Sequence, residues 1–293
     1  MSISTTIRPL SYDDIYVGLL DYLKLVKLSD CNAINFNFKF LDKITGNIDG
    51  WEQYVQKLMG YCNGANISIP VCHAYYLNSF ILDNSELKLV QKKKIEQCIK
   101  LSKLIGAKML VVHAGICLND EGEYDRERTI AENVNYFSTL CLLADECQVK
   151  IAIENNVVYN ESPVGDVVEP SVDVLNKVCD IINEGLKKNV IGICYDIGHA
   201  NLANRNIIND IQSYKDNLFA FHLHNNRGYD LKENVWKCDT HSSLLEGNID
   251  VYSILRLLRE INYEGELVVE SVYIGNEQKI VEYINRDTMI LNS

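Results

Sequence analysis

The chain has 293 residues, 47% hydrophobic and 23% charged, with 28 Lys+Arg against 40 Asp+Glu for a net charge of −12 and a pI near 5.0. A globular chain of this length buries roughly three quarters of its unfolded surface, so it needs no disulfide or structural metal, and any metal site is free to serve function. The acidic balance disfavours nucleic acid as a partner; no apolar run is long enough to span a membrane; and MSISTTIRPLSYDD lacks the basic-then-apolar pattern of an export signal, so a cytoplasmic location is expected.

Short β-branched or apolar runs alternate with stretches of helical period from one end of the chain to the other. Residues 1–7 read as a strand and 12–27 as an amphipathic helix; 33–38 and 51–61 repeat the pair, with the loop LDKITGNIDGWEQ between them. Strand 67–73 precedes the clearest helix, 85–105, opened by the cap cluster Asp83-Asn84-Ser85 and closed by Gly106. The pattern continues as 108–113 with 125–147, 149–154 with 171–184, 190–196 with 206–214, 218–222 with 251–261, and 266–270 with 277–285. Eight strands, each followed by a helix and none joined by a hairpin dipeptide, give an α/β chain forming a single (β/α)8 TIM barrel. A doubly wound open sheet is the alternative. No linker or low-complexity tract divides residues 1–293, so one domain is expected. No GxGxxG or GxxxxGK[ST] follows a strand, which removes the usual nucleotide cradles. The ten cysteines include no CxxC pair and read as small apolar residues in a reducing cytosol.

The six histidines carry the functional signal, because none falls in a helical stretch. His73 ends ISIPVCH, His113 ends KMLVVH, His199 follows the strand IGICYD, His222 and His224 close LFAFHLH, and His241 lies in the next loop. Carboxylates follow the same rule: Glu154 ends IAIE, Asp196 ends GICYD, Glu270 ends ELVVE, and Asp239 precedes His241 in Asp-x-His spacing. In a (β/α)8 barrel the C-terminal strand ends converge on one face, so these residues meet in one cavity. A strand-end carboxylate is costly to bury unless it is paired or metal-bound, and His with carboxylate is the ligand set of Zn, Mn or Co. Any one of these histidines, taken alone, is more commonly a core residue bonded to a carbonyl. A divalent metal (Mn, Co, Mg or Zn) accounts for all of them together.

The stretches HAYYLN from His73, VVHAG around His113, IAIENN past Glu154, YDIGHANL from Tyr195, FHLHNN from Phe221, DTHSSLLEGNID from Asp239 and GELVVES around Glu270 resemble the xylose isomerase-like barrel superfamily. That superfamily contains sugar isomerases, epimerases and endonuclease IV. The resemblance implies a metal held by Glu154, Asp196, His222 and Glu270, with His199 and Arg227 contacting substrate. Endonuclease IV adds two further metal sites, and their positions are filled here by His73, His113 and Glu154, and by His199, Asp239 and His241. The chain departs from that enzyme in other respects. Its first strand has no histidine, HAG stands where His-Pro-Gly-Ser is expected, and His224-Asn225-Asn226 replaces an Asn-Asp pair. The second loop carries Asp42, Asp49 and Glu52 rather than a basic, DNA-reading sequence.

The reading that follows is an isomerase or epimerase of a small polyhydroxy ketone or sugar phosphate. Glu154 and Glu270 would move a proton on opposite faces of a metal-bound enediolate, and His199 would serve with them in catalysis while His199 and Arg227 hold the oxyanion. Tyr75, Tyr76 and Trp236 could stack on a sugar face, with Trp51 in or near the second loop. His224 shares a strand face with His222 and belongs to the same site. The alternatives are an endonuclease IV-like phosphodiesterase acting on abasic DNA, a lyase or dehydratase starting from the same enediolate, and a non-catalytic binding protein. A homo-oligomer is compatible with a helix near 251–261 facing a second copy.

Overall fold

In parallel strands whose both faces are covered, side chains must alternate between barrel interior and helix layer, and the chain obeys this throughout. A computed structural model describes residues 1–77, 82–156, 171–230 and 232–293. Strands β1 (Ser2–Thr6), β2 (Ala33–Asn37), β3 (Ser68–His73), β4 (Met109–His113), β5 (Lys150–Glu154), β6 (Ile191–Asp196), β7 (Leu218–Leu223) and β8 (Glu266–Val269) pair in chain order, all parallel, and β8 closes on β1. The (β/α)8 barrel expected from the sequence is the observed fold. Asn78, the last residue of the HAYYLN stretch, lies outside the described residues.

The helices around the barrel are α1 (Ile15–Leu28), α2 (Lys39–Thr45), α3 (Trp51–Ala65), α4 (Ser85–Ile105), α5 (Arg126–Cys147), α6 (Val172–Leu186), α7 (Ile197–Leu202), α8 (Ile207–Tyr214), α9 (Val235–Cys238), α10 (Val251–Glu260) and α11 (Glu277–Asn292). Asp14, Asn84, Asp125, Asn206, Asp250 and Asn276 each accept an amide N–H of the first turn they precede, which fixes where six of these helices begin. Gly106 ends α4 in the left-handed conformation, as its position after the apolar pattern implies. α2, α7 and α9 are additions to the predicted set. Each is a turn or two of helix, too short to show a 3.6-residue pattern, and α2 occupies part of the segment read as a loop.

Apolar side chains fill two layers. Val71, Met109, Val111, Ala152, Cys194, Ala220 and Val268 occupy the barrel interior, while a larger cluster packs the outward strand faces against the helices. Val251, Ile254, Leu255 and Leu258 of α10 are buried in that outer cluster. Trp51 is also in it, stacked on Phe38 with ring centroids 6.2 Å apart, rather than exposed in a loop. All ten cysteines are free thiols, nine of them buried. Among the described residues, no helix is long and apolar enough to cross a membrane.

The period of two now places the site. Counting two residues on from interior Val71, Val111, Ala152, Cys194, Ala220 and Val268 gives His73, His113, Glu154, Asp196, His222 and Glu270. Lateral register sets them side by side: His113 is opposite Glu154 and Asp196 is opposite His222.

Candidate metal centre

These residues crown a cavity of about 290 Å³ at the C-terminal end of the barrel. Three groups of metal-ligating side chains stand within it or directly beneath it: His73, His113 and Glu154; Glu154, Asp196 and His222; and His199, His224, Asp239 and His241. In each group one donor atom per residue lies within 4.8 Å of the others. Glu154 is the hinge of the first two. Its Oε2 lies 3.0 Å from His73 Nε2 and 3.2 Å from His113 Nε2, and its Oε1 lies 3.3 Å from His222 Nδ1 and 3.4 Å from His199 Nδ1. Glu270 stands just outside the tight groupings, with Oε2 3.6 Å from His222 Nδ1 and Oε1 accepting from the Thr6 hydroxyl at 3.1 Å.

Two observations show that the donor set fits a metal ion. First, among the described residues neither ring nitrogen of the fully buried His222 is hydrogen-bonded to a carboxylate, although Nδ1 faces Glu154, Asp196 and Glu270. A buried imidazole that does not pair with the oxygens around it is costly, and a cation among them satisfies it. Second, His73 and His241 each place Nδ1 3.0 Å from a backbone carbonyl, of Ala74 and Glu270 respectively. With those N–H groups donated, each Nε2 points a lone pair at a carboxylate oxygen, 3.0 Å away for His73 and 3.3 Å for His241. A proton or a metal cation in between resolves that arrangement. Anchoring the distal imidazole nitrogen on a carbonyl is also how metal-ligating histidines are oriented.

The electrostatics agree. Burial opposes charge on every group here, yet Glu154 and Asp239 are held well below the usual carboxylate range by the histidines around them, and Glu270 is held down to about 2, chiefly by His222. Conversely, burial disfavours the His222 imidazolium, but Cys194, Glu270 and Glu154 together outweigh it and raise its pKa. Asp196 does the same for His199 and His224. His113 is pushed down to about 4 by burial, which leaves it neutral and able to ligate.

Local sequence explains why the side chains sit where they do. Asp196 ends β6 and caps α7, its Oδ1 accepting from the His199 amide at 2.8 Å, so Asp-x-x-His brings both residues onto one wall. His224 Nε2 donates to Asp196 Oδ1 at 3.0 Å, and its ring stacks on His241 with centroids 3.8 Å apart. It sits directly over Gly198, where a Cβ would come within 2.0 Å of its ring. His241 itself adopts φ +43°, a left-handed conformation that costs energy in a non-glycine residue.

Of the residues singled out from the sequence, His73, His113, Glu154, His199, Asp239, His241, Glu270 and Tyr76 line the cavity, and Asp196, His222 and His224 lie buried beneath it. Arg227 and Trp236 are not brought there. Arg227 is exposed beyond the turn in which Asn226 Oδ1 accepts the Gly228 amide, and Trp236 is exposed on α9. Tyr75 packs at the edge of the outer cluster with the Lys94 ammonium 3.8 Å from its ring centroid. Residues not singled out complete the cavity: Thr6, Arg8, Tyr12, Asn37, Lys39, Phe40, Lys43 and Asn156. Parity would have found three of these, since Arg8, Lys39 and Asn156 stand two positions beyond the inward strand ends Thr6, Asn37 and Glu154.

A family model described as a xylose isomerase-like TIM barrel matches residues 23–285. An uncharacterised protein of Methanocaldococcus jannaschii is 26% identical over 211 residues, spanning 71% of this chain and 66%, just under two thirds, of that protein. Among solved structures, the chain is similar to a D-tagatose 3-epimerase-like protein (TM-score 0.74, 21% identity, covering 100% of this chain and 98% of that one). It is also similar to the D-psicose 3-epimerase of Clostridium cellulolyticum H10 in complex with D-tagatose (TM-score 0.71, 12% identity, covering 99% of each). A third is the IolI protein with a bound zinc atom (TM-score 0.71, 15% identity, covering 100% and 98%).

Proposed function

The chain belongs to the xylose isomerase-like TIM barrel family, and from that premise we propose that it is a metal-dependent isomerase or epimerase of a small polyhydroxy ketone or its phosphate. The observation that carries this reading is the pair Glu154 and Glu270. Both line the cavity, and they approach His222 Nδ1 from different strands, at 3.3 and 3.6 Å. A carbon held between them can be deprotonated from one side and reprotonated from the other. The epimerases among the structural neighbours and the zinc of the IolI protein support the same assignment.

Glu154, Asp196, His222 and Glu270 would hold the divalent cation, which when bound polarises a substrate carbonyl and acidifies the neighbouring C–H. The chain's own residues do the rest. Glu154 and Glu270 are ionised at neutral pH and ready to accept a proton. Return by the opposite carboxylate inverts the carbon, whereas return by the same one to the adjacent atom isomerises the substrate. His199 keeps its charge through Asp196 and Asp239, so it can hold a developing oxyanion. The Tyr76 ring, tilted against His113 with centroids 4.2 Å apart, lines the cavity beside the substrate carbons.

The test combines elemental analysis of protein purified without chelator or His tag with exchange of the ketose α-proton in deuterated solvent. Roughly one bound Mn, Co, Mg or Zn per chain, unaffected by Asp239→Ala/His241→Ala, together with exchange that disappears in Glu154→Gln and Glu270→Gln, is the expected result. Retained exchange in both variants would sink the assignment. A second reading has a specific observation behind it: three ligand groups share one cavity. Roughly three zincs per chain, one lost in the double variant, with cleavage of abasic DNA, would make the protein an endonuclease IV-like phosphodiesterase. Exchange accompanied by loss of water or carbon–carbon cleavage would make it a lyase or dehydratase.

A further inference from the structure

The cavity has two walls of opposite charge. Glu154, Asp239 and Glu270 belong to the metal-ligating wall, while Arg8, Lys39 and Lys43 line the side built by the ends of β1 and β2. In a chain of net charge −12, three cations gathered on one wall of a small cavity are a marked departure from the average surface.

Each cation is placed by a local constraint that leaves it turned to the cavity. Arg8 follows β1, and its Nη2 donates to the carbonyl of Glu270 at 3.2 Å, while its Nε is buried without a hydrogen-bond partner. Lys39 opens α2, its amide donating to Asn37 Oδ1 at 2.9 Å, and its ammonium lies 3.8 Å from the centroid of Tyr76. Tyr76 in turn packs on His113, so Lys39 is one aromatic ring away from a candidate metal ligand. Lys43 stands one turn further along α2 on the same face. Two like charges on one helix face repel, and one of them is largely removed from water. The acid of α2, Asp42, is directed to Lys94 at 2.8 Å. Burial and the neighbouring Lys43 pull the pKa of Lys39 down to about 8. An anion against this wall would meet all three cations at once.

We propose that the substrate of this site carries an anionic group, a phosphate ester or a carboxylate, held by Arg8, Lys39 and Lys43 while its polyhydroxy end faces Glu154 and Glu270. In naming a ketose as that substrate, the proposal rests on the isomerase reading above. The cavity volume suits a single sugar unit better than a polymer.

Binding of D-fructose, D-fructose 6-phosphate and 5-keto-D-gluconate to the Mn-loaded full-length protein, followed by calorimetry, tests the proposal. The charged ligands should bind about tenfold more tightly than D-fructose, and in Lys39→Gln/Lys43→Gln all three ligands should bind with similar affinity. Arg8→Gln, with both lysines intact, should remove part of it. A preference for the phosphate alone or for the keto acid alone identifies the group. Equal binding of all three ligands, or a preference that survives in the lysine double variant, overturns the proposal. Exchange of the α-proton is read separately on the same samples. Exchange without charge preference overturns the anion wall and keeps the isomerase reading. Charge preference without exchange on any ketose keeps the wall and overturns the isomerase reading.

Discussion

The two walls of the cavity solve opposite electrostatic problems. On the metal-ligating wall, Glu154, Asp196 and Asp239 each face two or more histidines, and nearly all of these side chains are buried. Every charge there has a partner within reach. On the wall made by β1, β2 and α2, like charges stand together at the solvent edge, with Lys43 exposed and Lys39 half-buried. Under the proposed function the first arrangement would fix an ion permanently. The second is built to meet a group that arrives and leaves, since exposed cations attract at long range and release at modest cost.

The comparison is broken most sharply at Glu154, which serves two ligand groups at once. Glu154→Gln leaves His73, His113 and His222 facing a neutral amide, so metal affinity should fall by roughly two orders of magnitude or more, measured by competition with a chelator. Lys43→Gln should leave that affinity unchanged; a comparable loss there would mean that the walls are one electrostatic unit. Next in size is Trp51→Ala. Trp51 stacks on Phe38, the residue before α2, so the truncation should destabilise the protein by about 3–5 kcal/mol in denaturant unfolding. Under native conditions it should weaken anion binding while metal stoichiometry is retained. Gly198→Ala should act on the other wall alone. A Cβ there collides with His224, which braces Asp196, and metal affinity should drop about 10- to 100-fold with anion binding of the metal-free protein unaffected.

The same contrast decides what could be read before the structure. The metal-ligating wall was legible because apolar strands end in His, Glu or Asp, and a (β/α)8 barrel gathers strand ends wherever they lie in the chain. All eight strands stand where the alternation placed them, and His73, His113, Glu154, Asp196 and His222 close them as expected. The cationic wall was not legible from composition. The segment LDKITGNIDGWEQ counts as acidic, yet α2 directs Asp42 to Lys94 and Lys39 and Lys43 to the cavity. Net charge of a loop says nothing about which face each charge takes, and a helix of seven residues shows too little period to reveal it. Arg227, which the resemblance implies, and Trp236, read as an aromatic able to stack on a sugar, both follow β7 in the chain. The Asn225–Asn226 turn, pinned through Leu244 and Ile249, carries the chain away from the cavity before either residue is reached.

The smallest effect expected is a pH dependence confined to the cationic wall. Lys39, at about 8, changes charge between about pH 7 and 9, whereas Tyr76, which faces Lys39 from the loop after β3, is raised to about 12 by burial. Lys43 on the same helix is the other charge that bears on Lys39, and its repulsion helps to set that low value. A lowered lysine pKa means that the charged form is present below about 8 and lost above it, so affinity for a phosphorylated ketose should fall as pH rises, by roughly threefold between pH 7 and 9. The phosphate ester is already ionised in this window, so its own titration does not mask the trend. Lys39→Arg keeps the charge at every pH and should flatten the profile, whereas D-fructose should show no slope with either protein. A slope that persists in Lys39→Arg would move the titrating group to the metal-ligating wall and erase the distinction between the two.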